Sequence, residues 1–278
     1  MAEGISSMSL KRHEILGKNL RTTVEVCMQC MADEKAMYLE VTAPAKPHQA
    51  FPRESQIRWS VRCAVLEHLG YGPIENLSND LNQGVDYSLQ YFFGDWWRAD
   101  ETDAKDLDKS RPDRALPWFD VLPNALLLGG LTGRWDDIAK ICSWFDASIE
   151  MEYRGGINED ADMLLYLCIA SSLSPTPMPG TEAMLIHVKA SRARRPKLLC
   201  AAWEAALAKD QRAFNKTLKD SVSQFVKSDA RDVPNPYFWV AVSQSFVWLL
   251  AERNGLALPE LPDKLEAALV RRQTVGLA

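Results

Sequence analysis

Over residues 117–272 the chain repeats one pattern: an apolar run, a short polar break, then a second, amphipathic run carrying aromatics. In 135–149, for example, Ile138, Ile141, Cys142 and Phe145 recur at spacings of three and four, which places them on one face of a helix. Strand-like alternation between turn dipeptides is missing from the sequence. The pattern therefore predicts an all-α fold of stacked antiparallel helical hairpins with negligible β content. Hydrophobic residues fill 47% of the 278 positions, enough for a substantial core.

Ahead of the repeated part, apolar spacing predicts a long helix over about 9–39, ended by Thr42-Ala43-Pro44-Ala45-Lys46-Pro47. A second helix is expected over 54–69, stopped at Gly70-Tyr71-Gly72-Pro73. A third opens at Pro73 and runs through Ile74, Leu77, Leu81, Val85, Leu89 and Phe92. Residues 1–94 thus read as an N-terminal helical layer. The stretch 95–114, dense in charge of both signs and starting near Trp96 and Trp97, reads as a connecting segment. Residues 115–278 read as the helical-hairpin domain, packed with the first layer as one globular unit.

Within that domain, 116–131 and 135–149 form a hairpin about the turn Thr132-Gly133-Arg134. A helix over 158–173 is expected with Asn158 as its N-cap, broken by Ser174-Pro175-Thr176-Pro177-Met178-Pro179-Gly180. After a short helix over 181–190 comes the basic cluster Lys189, Arg192, Arg194, Arg195 and Lys197. Pro196 then opens a second hairpin that turns at Lys209-Asp210. Pro234-Asn235-Pro236 opens the next helix, which Asn254-Gly255 ends, and a last helix spans 263–272. The spacing resembles tetratricopeptide-type units without that repeat's consensus, so only the architecture is carried over.

Local motifs point away from catalysis. Cys27-Met28-Gln29-Cys30 is a C-x-x-C without a second ligand pair, read as two thiols on one helical face. Cys63, Cys142, Cys168 and Cys200 each sit in an apolar run, which predicts free buried thiols and a reducing cytoplasm. His13, His48, His68 and His187 lack metal-ligand spacing and read as ordinary surface or helix-terminal histidines. No G-x-S-x-G, P-loop or dinucleotide fingerprint occurs, so no cofactor or metal is expected. The N-terminus has no secretory pattern and no apolar stretch reaches membrane-span length, so a soluble, cytoplasmic protein is expected.

Charge carries the functional information. The formal net charge is −5, but residues 1–179 hold 17 Lys+Arg against 27 Asp+Glu, and residues 180–278 hold 15 against 10. This balance argues against direct nucleic-acid binding and for an acidic surface that meets a basic partner. Residues 133–163 concentrate eight acids, Asp136, Asp137, Asp146, Glu150, Glu152, Glu159, Asp160 and Asp162, among Trp135, Trp144 and Tyr153. The candidate partner-binding residues are Asp136, Asp137, Glu150, Glu152, Tyr153, Glu159, Asp160 and Asp162, with Trp96 and Trp97 as further aromatic anchors. A metal-dependent enzyme would instead require Asp136, Asp137, Glu159 and Asp160 to converge on one cavity. The competing explanation for these acids is a first-turn position, where the helix dipole favours them.

The arm–turn–arm order over 126–145, with Thr132-Gly133-Arg134-Trp135 at its centre, resembles the all-α immunity proteins of bacterial polymorphic toxin systems, in particular the immunity protein 49 family. So does the stretch over 203–225, with Ala206-Leu207, Asp210, Phe214-Asn215, Leu218 and Phe225. The resemblance covers about 115–260. It implies a non-catalytic protein that binds and neutralises a cognate toxin. A helical-repeat scaffold for protein–protein interaction is the alternative from a different class.

Overall fold

The computed structural model describes Arg12, Ile15, Leu16, Gln29, Ala32 and Asp33 and residues 50–71, 74–93, 118–145, 160–229 and 239–277. The expected helix over 9–39, apart from those six residues, and the segment 95–114 lie outside the described residues. Ten helices and no strand occur among the described residues, so the protein is all-α. They are α1 (Ala50–Leu69), α2 (Leu77–Phe93), α3 (Trp118–Thr132), α4 (Trp135–Cys142), α5 (Ala161–Leu173), α6 (Thr181–Ala190), α7 (Arg194–Leu207), α8 (Gln211–Gln224), α9 (Val242–Arg253) and α10 (Asp263–Glu266). No described helix is long and apolar enough to cross a membrane.

Helix α3 organises the core. From Val121 to Leu131 every residue except Pro123 is buried, and a helix that is apolar on all sides must be surrounded. Accordingly α1, α2, α4, α5 and α9 all pack on it. Helix α9 is the second such element, buried continuously from Gln244 to Ala251. Close approach depends on missing side chains. A Cβ on Gly129 would lie 2.4 Å from Ile138 of α4, and one on Gly130 would lie 3.0 Å from Leu249 of α9. The outer helices α4 and α8 are amphipathic, α8 burying Phe214, Leu218 and Val222 on one face and exposing Lys216, Lys219 and Asp220 on the other. The hairpin α7–α8 turns where expected, with Lys209 at φ 54° and the Asp210 carboxylate accepting from the Ala213 N–H at 2.9 Å.

Several boundaries differ from the sequence reading, each for a physical reason. Helix α2 starts at Leu77, not at Pro73. Asn76 is left-handed at φ 60°, and the Ile74 N–H donates to Glu67 Oε2 at 2.7 Å, which fixes the connection outside the helix. Helix α4 stops at Cys142 well short of Ile149, and Trp144 and Phe145 fold back on Phe92 at ring-centre distances of 5.3 and 5.6 Å. The N-cap of α5 is Asp160, not Asn158. Helix α9 starts at Val242, and the expected opening at Pro234-Asn235-Pro236 lies outside the described residues. The Ala241 N–H just ahead of α9 donates to the Ala268 carbonyl at 2.8 Å and so faces the C-terminal segment.

The expected last helix over 263–272 is three pieces. Helix α10 ends at Glu266, the Val270 N–H donates to the Ser245 hydroxyl at 3.0 Å, and a 3₁₀ turn follows at Arg272–Val275. That turn packs on α1. Cys63, Cys142, Cys168 and Cys200 are buried and form no disulfide, and burial raises the thiol pKa of Cys168 and Cys200 to about 12.

Candidate interaction surface

The tip of the α3–α4 hairpin holds the first group of candidate residues. Gly133, at φ 73°, lets the chain reverse in two residues, and the Arg134 N–H donates to the Gly129 carbonyl at 2.9 Å. The first turn of α4 then carries Asp136 and Asp137 at the positive end of the helix dipole. The Arg134 guanidinium donates from Nε to Asp137 at 2.6 Å, from Nη1 to the Asn82 carbonyl at 3.0 Å, and pairs through Nη2 with Asp86 at 2.7 Å. One side chain thereby clamps α4 to α2. Burial works against its charge, but hydrogen bonds to Asp86 and then Asp137 outweigh it and hold the guanidinium above its ordinary range.

Beside this node Trp135 is half-buried. The Arg253 guanidinium lies 4.6 Å from its ring centre, and Phe246 is tilted against it at 6.2 Å. Such a cation–π contact is worth about 0.5–1 kcal/mol at an exposed site, and it fixes a large aromatic at the rim of the acidic turn. Asp136 is exposed, as is Asp86, whose side chain is 53% accessible.

The second group sits at the start of α5, which packs on α4. The Asp160 carboxylate accepts from the Asp162 N–H at 3.0 Å and the Met163 N–H at 3.5 Å, a helix-capping role. Asp162 lies 3.8 Å from Arg195 of α7. Of the four described candidates, then, Asp137, Asp160 and Asp162 serve the fold, and Asp136 faces outward. Glu150, Glu152, Tyr153, Glu159, Trp96 and Trp97 lie outside the described residues. Among the described residues no three His, Cys, Asp or Glu side chains are grouped so as to hold a metal ion.

Two contributors escaped the sequence reading. Asp86 lies on α2, and nothing in its linear neighbourhood links it to Arg134. His68 was expected among ordinary surface or helix-terminal histidines. It is in the last turn of α1, but it is fully buried. Its Nε2 faces the Ala267 carbonyl at 2.7 Å and its Nδ1 faces the Thr274 hydroxyl at 2.9 Å. A carbonyl only accepts, so the ring proton sits on Nε2, and Nδ1 shares the single Thr274 hydroxyl proton with the Arg271 carbonyl, to which that hydroxyl donates at 2.8 Å. Burial, with lesser contributions from Arg12 and Arg271, lowers its pKa to about 3 against the stabilising Ala267 contact.

Compared with protein-family models, curated proteins and solved structures, the chain matches none.

Proposed function

We propose that this protein is a non-catalytic binding protein, an immunity protein that neutralises a cognate toxin by covering a basic surface of it. The observation that carries this reading is the hairpin tip: Asp136 and Asp86 stand exposed on two helices locked together by Arg134, beside the half-buried Trp135. Acids held on rigid helices lose little freedom on binding, and their field accelerates encounter with a cationic partner. The resemblance of 126–145 and 203–225 to toxin-neutralising proteins supports the same reading. Those stretches correspond to the α3–α4 and α7–α8 hairpins.

The test is co-expression with the product of the neighbouring gene, scoring rescue of growth and co-purification, with wild type set against Asp136→Lys. Asp136 is the residue to reverse because Asp160 caps a helix and its loss would confound folding with binding. Rescue and a stable complex for wild type, both weakened in Asp136→Lys at an unchanged melting temperature, is the expected result. Neither rescue nor complex for wild type would remove the immunity reading. Full affinity in the variant would move the interface away from the tip.

A further inference from the structure

Averaged over the chain, charge argues against a nucleic-acid partner, but the hairpin of α7 and α8 gathers the basic excess in one place. Residues 192–227 hold nine Lys and Arg against three Asp and Glu, a net +6 in a chain whose formal charge is −5, which leaves −11 for the rest. On α8 the cations form a stripe. Arg212, Lys216 and Lys219 are spaced by four and three, and Lys227 follows on the π-helical turn Phe225–Asp229 that continues the helix. All four are exposed, and the first three lie opposite the buried Phe214, Leu218 and Val222.

The fold makes no use of these four charges. Lys189 pairs with Glu204 at 2.7 Å and Arg195 lies 3.8 Å from Asp162, but Arg212, Lys216, Lys219 and Lys227 form no ion pair or hydrogen bond among the described residues. Asp220 stands at the edge of the stripe, and the Asp210 carboxylate at its start accepts from the Ala213 N–H. The turn at Lys209 brings the start of α7 back beside the end of α8, where exposed Arg192 and Arg194 extend the basic surface. Apart from Leu207 at the turn, residues 192–227 expose no large apolar side chain. Trp203 and Phe214 are buried and Phe225 is half-buried.

Bare cations without an apolar centre select among anionic partners. A protein interface takes most of its energy from buried aromatic and apolar anchors, and exposed ion pairs alone add little. A single nucleic-acid strand is held largely by aromatic rings on which its bases stack, and this hairpin exposes none. A duplex requires neither. It carries one charge per about 1.7 Å of axis, and cations that neutralise its phosphates gain from the release of condensed counterions. Its rod shape can also meet the hairpin alone, whereas an anionic bilayer is a plane that faces more of the remaining −11. We propose that the α7–α8 hairpin binds the phosphate backbone of double-stranded nucleic acid through Arg212, Lys216, Lys219 and Lys227, without reading its sequence. The acidic tip belongs to α2 and α4, so this surface stands or falls independently of toxin binding.

Fluorescence anisotropy of a labelled mixed-sequence DNA duplex, titrated with the full chain over a range of KCl concentrations, tests this. Four phosphate contacts predict a loss of about a hundredfold in affinity between 50 and 200 mM KCl. Duplexes made only of A·T or only of G·C pairs should bind equally, and a single strand of the same length more weakly. Joint replacement Lys216→Gln and Lys219→Gln removes two of the four contacts and should cut the salt slope by about half. Lys140→Gln, an exposed cation on α4, should leave it unchanged. Thermal melts verify that the variants fold, and Arg212→Gln with Lys227→Gln supplies a second pair for which the same halving is expected. No duplex binding at 50 mM KCl, an unchanged slope in both paired variants, or a loss in Lys140→Gln as large as theirs would each overturn the proposal. So would binding of poly-L-glutamate or of phosphatidylserine vesicles in preference to the duplex, which would assign the stripe to an acidic polypeptide or to a membrane surface.

Discussion

Two side chains hold distant parts of this chain together, and they do so in opposite states. His68 bridges α1 to Ala267 and Thr274 as a neutral ring inside the core, whereas Arg134 bridges α4 to α2 as a cation at the surface. Burial decides which. A charge at His68 would have to leave water altogether, so the ring stays unprotonated and works through two directional hydrogen bonds. Arg134 keeps its charge because water still reaches the pair it forms with Asp86. The buried link should therefore be strong and sensitive to pH, and the surface link weak and sensitive to salt.

The largest break in that contrast is His68→Leu. It fills similar space but strands the Ala267 carbonyl in the core, at about 1–3 kcal/mol for a buried acceptor left unpaired, whereas the half-buried Thr274 hydroxyl keeps its two bonds with the Arg271 backbone. A loss of about 2 kcal/mol in urea-melt stability is expected, with earliest amide exchange in residues 267–277, which this ring anchors. A loss under 1 kcal/mol would show that the C-terminal segment is held without His68.

Acid is the next lever. The His68 pKa lies below its ordinary 6.5, at about 3 in the folded state, so the unfolded chain takes up a proton first. Above pH 6.5 the residue costs nothing, and between 6.5 and about 3 stability falls with falling pH by about 1.4 kcal/mol per unit. Going from pH 7 to pH 5 should remove about 2 kcal/mol, and His68→Leu should lose that component of the slope. An identical acid slope in the variant would assign the pH dependence to other groups.

Gly84 joins the two corners, because α2 carries Asn82 and Asp86 and packs on the helix that carries His68. A Cβ there would lie 2.6 Å from the Ser60 Cβ and 2.8 Å from a Leu128 methyl, so Gly84→Ala must push α2 away from α1 and α3. Overpacking of this kind costs about 1–3 kcal/mol, against a gain of about 1 kcal/mol from helix propensity. A net loss of about 0–2 kcal/mol in a thermal melt is expected. A stabilised variant would mean that the three helices yield there at little cost.

The sequence made some of this legible and left some hidden. Helical periodicity located the hairpins α3–α4 and α7–α8, and the turn residues Gly133, Lys209 and Asp210 located their reversals, because those signals are local. Boundaries failed where a distant group intervenes: Ser245 captures Val270, Ala268 captures Ala241, and Glu67 captures Ile74. The acidic surface was legible as a cluster in sequence, but not the division of labour within it. Asp137 pairs with Arg134 three residues before it and Asp160 caps its own helix, but the further pairing of Arg134 and that of Asp162 depend on where α2 and α7 place Asp86 and Arg195. The same holds for His68, whose partners lie about 200 positions away.

The smallest expected effect concerns Arg134, and it connects the contrast to function. In Arg134→Gln the Asp86 carboxylate stays hydrated, because its side chain is 53% accessible, so stability should fall by only about 0–1 kcal/mol. That difference should shrink in 0.5 M salt, about where the screening length approaches 4 Å, whereas the His68→Leu loss should not. The same substitution removes one positive charge from between Asp86 and Asp137. If the hairpin tip meets a basic partner, association with it should become faster at low salt, with the gain lost as salt rises. Slower association in Arg134→Gln would mean that the partner reads the arginine itself or the geometry it imposes on α2 and α4. In that case the acids around it would be scaffolding for a cation, and the sign of the proposed complementarity would reverse.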